Sequence, residues 1–104
     1  MKETVLGLNR NMKFYFCPVS INMNKGIDGL CGFIRSNLMR DPLSSEVFIF
    51  MGKNRKQIKL LKWENGRFIL YTVRLYGNKR FNPQYNHEEG SYYLEWEQFI
   101  KIID

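Results

Sequence analysis

Nine basic side chains between Met51 and Arg80 form the one concentration of chemistry in this sequence: Lys53, Arg55, Lys56, Lys59, Lys62, Arg67, Arg74, Lys79 and Arg80. Only Glu64 opposes them, which leaves the segment at +8. Such a run suits a phosphate backbone, where Lys and Arg displace condensed counterions and gain affinity without reading sequence. It also suits an acidic protein partner, and its plainest use is a solvated face that keeps a chain soluble. Trp63, Phe68, Tyr71 and Phe81 interleave with the charges, which raises base stacking as a further use. Aromatic residues in strands pack more often than they stack on bases, so core or interface use is the first expectation for each.

No other group of residues reads as a reaction centre. His87, the sole histidine, lies beside Glu88 and Glu89, and three successive side chains do not converge on one metal ion unaided. Asp28 and Asp41 do not form a readable phosphotransfer pair, and no Ser-His-acid or Cys-His arrangement can be assigned. Gly26-Ile27-Asp28-Gly29 lacks the pattern of a phosphate-binding loop. Cys17 and Cys31 are the only cysteines, without neighbours at metal-site spacing, and read as buried inert thiols. The expectation is a non-enzymatic protein with no cofactor and no metal. A metal-dependent nuclease is a third reading, without an evident convergent set of carboxylates.

The basic run needs a scaffold, and its own sequence supplies one. Trp63-Glu64-Asn65-Gly66-Arg67-Phe68 sets Asn-Gly between two apolar runs, the signature of a two-residue hairpin turn that needs positive φ at both positions. The flanking strands are expected at about Gln57–Glu64 and Arg67–Leu75. Phe68, Leu70 and Thr72 then face one way, and Ile69, Tyr71 and Val73 the other. Neither face is cleanly polar, so cover on both sides is expected, from helices or from a partner. Val47–Phe50 is a third strand, joined through a wet turn at Met51–Lys56. In such an up-down-up meander the first turn and the end of the third strand fall at one end of the sheet. Lys53, Arg55 and Lys56 would meet Lys79 and Arg80 there.

Outside the meander, Lys13–Cys17 reads as a strand stopped by Pro18. A helix is expected from about Lys25 to Leu38, with Asn22 or Asn24 as cap and Ile27, Leu30, Cys31, Ile34 and Leu38 as its apolar stripe. Pro42 makes continuation beyond Asp41 unfavourable. Phe81–Gly90 is polar and irregular. Trp96, Phe99, Ile100 and Ile103 recur at helical spacing, consistent with a short helix from about Tyr92 to Ile102, a strand remaining open across Ser91–Glu95. Residues 1–12 read as a loosely ordered arm. The fold class is α+β: a small antiparallel sheet with a central three-stranded meander, a helix after the first strand and a short C-terminal helix.

With 104 residues, 44% apolar and 15% aromatic, residues 1–104 read as one domain with one modest core. The net charge of +6 favours polyanionic partners. No apolar run approaches the roughly 18–20 residues that cross a bilayer, and no signal-peptide order is visible, so no membrane partner and a cytoplasmic location are expected.

From Phe14 to Phe81 the sequence resembles the small accessory proteins, TnpB, of the IS-sixty-six class of bacterial insertion sequences. The blocks that carry the resemblance are Ile21–Leu30, Asp41–Ser45, Val47–Phe50, Arg55, Lys59–Glu64, Gly66–Phe68, Arg74-Leu75 and Lys79–Phe81. That family usually has Asp where Asn22 stands and Arg at Asn24, and commonly Gly at Ser45 and Lys at Val73. Residues 82–104 diverge from it. The resemblance implies participation in transposition beside a separate transposase that cuts and joins DNA, and it carries no catalytic residues across. The leading expectation is therefore a non-catalytic accessory protein that contacts DNA and assists transposase assembly. The alternative is an interaction module that binds an acidic partner without touching DNA.

Overall fold

A computed structural model describes residues 4–81 and 93–103. In chain order the elements are β1 (Thr4–Val5), β2 (Leu8–Asn9), β3 (Phe14–Phe16), α1 (Ile27–Ser36), β4 (Val47–Met51), β5 (Gln57–Glu64), β6 (Arg67–Arg74), β7 (Tyr93–Leu94) and α2 (Trp96–Ile103). Five of the strands form one open sheet in the order β6-β5-β4-β3-β7, and β1 and β2 form a separate small hairpin.

The meander β4-β5-β6 forms as its turns dictate. Asn65 and Gly66 sit at φ 49° and 76°, and the register runs unbroken from Glu64↔Arg67 to Gln57↔Arg74. The sheet as a whole is mixed, which corrects the expectation of an antiparallel one. Strand β3 pairs parallel with β4, Phe14 opposite Val47 and Phe16 opposite Ile49. The physical reason is α1, which carries the chain back along the sheet between them, as any parallel pair requires. Strand β7 then closes antiparallel on the other side of β3, Leu94 opposite Phe14.

Alternation along the strands builds two cores, one on each face. Tyr15, Phe48, Phe50 and Leu61 pack with Leu30, Cys31 and Ile34 of α1. Phe14, Val47, Ile49, Ile58 and Leu60 pack with Trp96, Phe99 and Ile102 of α2, together with Leu8 and Phe81. Phe14 stacks on Phe99 at 4.3 Å between ring centroids. Every residue of β4 is buried, as befits a strand with a helix on each side. Strand β6 is the outer strand, and its apolar residues are only half-buried.

Helix limits differ from the sequence expectation. Helix α1 starts at Ile27 behind Gly26, with no side-chain cap. Asn22 instead accepts the Asn24 amide at 2.8 Å, a local Asx-turn ahead of the helix. Helix α2 begins at Trp96, where Gln98 accepts the Glu95 amide at 2.7 Å; that is half of a capping box. Residues 4–12, expected as a loose arm, hold the β1-β2 hairpin, and its Leu8 is fully buried.

Candidate nucleic-acid interface

The turn between β4 and β5 is held from within. The Arg55 amide bonds the Gly52 carbonyl at 3.0 Å, and the Lys56 amide bonds the Asn54 side chain at 3.0 Å. Arg55 itself takes φ 60°, a left-handed conformation that costs a non-glycine residue about 1 kcal/mol or more. A side chain at Gly52 would meet Met23 at 2.8 Å, so the turn lies close against the loop before α1.

The segment after β6 is tied to that turn through its backbone. Leu75 donates to the Lys56 carbonyl at 2.8 Å and Phe81 to the Arg55 carbonyl at 2.7 Å. Phe81, 1% exposed, anchors the segment in the core. Residues 52–56 and 74–81 therefore share one end of the sheet, and neither contains a carboxylate. Lys53, Arg55, Arg74, Lys79 and Arg80 are exposed there and Lys56 is half-buried. Lys56 and Arg74 line a small groove together with Leu75, Tyr76 and Gly77.

Three of the nine basic residues are elsewhere. Lys59 is buried on the α1 face, where its ammonium donates to the Lys25 carbonyl at 2.7 Å. Lys62 and Arg67 lie at the other end of the sheet, beside the β5-β6 turn. Lys62 is buried and pairs with Glu64 at 3.4 Å. The aromatic candidates divide in the same way. Phe81 is core, Tyr71 packs against the α2-side core and Phe68 against the α1-side core. Trp63 packs edge-on against Phe68 at the far end. Tyr76, 92% exposed among the basic residues, is the aromatic that sequence reasoning missed. Its position between the strand end and Gly77 was the available signal.

That far end holds a polar network no local sequence pattern announced. Arg40 donates to both Glu46 oxygens, at 2.9 and 3.2 Å, and also to the Tyr93 hydroxyl. Tyr93 and Ser44 in turn donate to Glu46. Burial pulls the Glu46 carboxyl upward, but its donors Tyr93, Arg40 and Ser44 outweigh this and hold it below its ordinary value. The hydrogen bond to Glu46, aided by burial, pushes the Tyr93 phenol up. The Arg40 guanidinium lies over the Tyr15 ring at 4.3 Å.

Cys17 and Cys31 are free and buried, and burial raises both thiols, which makes them poor nucleophiles. His87, Glu88 and Glu89 lie outside the described residues. Among the described residues no three His, Cys, Asp or Glu side chains gather as metal ligands would, and no helix is long and apolar enough to cross a membrane.

Fold and site together define a small α+β domain with one basic end. The chain belongs to the IS66 Orf2 like protein family, whose model matches residues 12–104. It is also similar to the uncharacterized protein y4jC of Sinorhizobium fredii, 22% identical over 99 residues that cover 95% of this chain and 83% of that protein. No solved structure matches. Ser45 takes φ 71°, a left-handed conformation that glycine adopts most freely.

Proposed function

We propose that this chain is a non-catalytic accessory protein of transposition that contacts DNA through its basic end and assists assembly of a cognate transposase. The observation that carries the reading is the bonding of residues 75–81 to the 52–56 turn. It gathers Lys53, Arg55, Lys56, Arg74, Lys79 and Arg80 on one rim free of carboxylates, and family membership supplies the transposition setting. The rim residues act as phosphate contacts and Tyr76 as a platform beside them. Lys59 takes no part, because its ammonium is committed to a backbone carbonyl.

The test is duplex binding by the purified protein across a salt series, with and without the transposase. Six phosphate contacts give a slope of log K against log salt of about −5, and Lys53→Glu with Arg55→Glu makes it shallower by roughly two. The molecule measures 33 × 29 × 29 Å, so at 3.4 Å per base pair one copy occupies at most about ten base pairs. Absence of binding at low salt, alone and with transposase, would refute DNA contact. A second reading, an interaction module for an acidic protein, draws on the half-buried apolar residues of the outer strand β6. A transposase complex that survives nuclease treatment and ignores duplex competitor would favour it.

A further inference from the structure

The end of the sheet opposite the basic rim carries an open cavity of about 570 Å³ whose walls include Lys13, Arg40, Glu46, Lys62, Trp63 and Tyr93. Two of the cations that line it, Lys62 and Arg40, are largely withdrawn from solvent. Lys62 has a side chain only 6% exposed, and among the described residues its ammonium has Glu64, at 3.4 Å, as its ionic neighbour. An ammonium carries three donors, and burying them without acceptors is costly. The Arg40 Nε is buried without a hydrogen-bond partner among the described residues. Lys59 makes the contrast, with its 2.7 Å bond to a carbonyl.

The surroundings select the occupant. Glu46 and the half-exposed Glu64 stand in the same wall, so a polyphosphate backbone would meet repulsion there that it does not meet at the basic rim. A single carboxylate brings one charge toward Lys62 and the exposed Lys13, where a run of phosphates would bring several toward Glu46 and Glu64. Trp63, Tyr93 and Arg40 are the residue types that dominate protein interfaces. The adjoining loop leaves Met39 82% and Leu43 44% exposed, which supplies apolar contact around a polar centre.

We propose that this cavity is a docking socket for an aspartate or glutamate side chain of a protein partner, paired with Lys62 and Lys13 and flanked by Trp63 and Tyr93. The site is separate from the basic rim and stands whether or not the rim binds DNA. The probe is a random dodecapeptide phage library panned on the full chain, followed by NMR titration of the selected peptides. Selected peptides are expected to share a carboxylate beside an apolar residue and to shift the signals of Lys13, Trp63 and Tyr93. Their affinity should fall about tenfold in Lys62→Met, the scale of one hydrogen bond to a charged group. Lys13→Gln, an exposed change that leaves the core untouched, should weaken them in the same direction. Lys53→Glu with Arg55→Glu should leave them bound. The proposal is overturned if panning yields no binder, if the peptides need no carboxylate, or if both socket variants bind them unchanged. It is overturned equally if duplex DNA shifts the socket residues in place of the peptides.

Discussion

Arg40, Glu46 and Tyr93 show how much of this molecule is decided by single side chains from distant parts of the chain. Glu46 is 8% exposed and tolerates burial because three donors reach it. Its depressed pKa means that its contribution to stability is complete above the ordinary value of 4.5. That contribution is lost as pH falls through the lower folded value. Tyr93 works in the opposite sense. Its raised pKa means that its contribution is complete below 10.0 and lost as pH climbs through the higher folded value. Glu46→Gln should therefore cost about 2 kcal/mol at neutral pH, the scale of hydrogen bonds to a charged group. It should also flatten the acid limb of the urea midpoint against pH, while Tyr93→Phe flattens the alkaline limb. An acid limb as steep in Glu46→Gln as in the parent would remove Glu46 from the account. None of this was legible beforehand, because no local pattern joins Arg40, Glu46 and Tyr93, and Tyr93 read only as part of a terminal segment. Only the tertiary fold brings the three together.

At the scale of elements, the meander could be read because its information is local: alternating strands, an Asn-Gly turn and a wet basic turn. Strand partners are not encoded locally. KFYFC announces a strand but says nothing of lying parallel to Val47–Met51, and the sheet is mixed as a result. The basic run was likewise readable as a charge and only partly as an arrangement in space. Alternation sends Lys59 to the α1 face, and strand length carries Lys62 and Arg67 to the end away from the 52–56 turn. Helix α2 has eight residues, too few to persist by propensity alone. Packing must hold it, chiefly Phe99 stacked on Phe14. Phe99→Ala should cost about 3–5 kcal/mol, whereas Tyr76→Ala, on the surface, should stay within about 0.5 kcal/mol. Urea midpoints compare the two directly, and equal losses would contradict the packing assigned to α2.

Over the whole molecule, charge is parted between two ends of one sheet, and β4 ties them together through the middle. The same sheet order has a consequence in time. Each strand of the meander meets its partner across a turn of a few residues, whereas β3 must wait for β4 beyond α1 and for β7 at the far end of the chain. Closing longer loops costs more entropy and slows pairing. We infer that the β3-β7 side is the part that opens most readily in the native protein, below the free energy needed to open β4-β5-β6. Native-state hydrogen exchange should accordingly show the amides of Tyr15 and Leu94 exchanging through smaller openings than those of Leu60 and Leu61. Uniform protection across all four would contradict this order. Because both basic segments flank the meander, the charged rim is assembled as soon as the most durable part of the protein exists. The carboxylate socket, which borrows Lys13 and Tyr93 from the late-joining strands, comes and goes with the side that opens first.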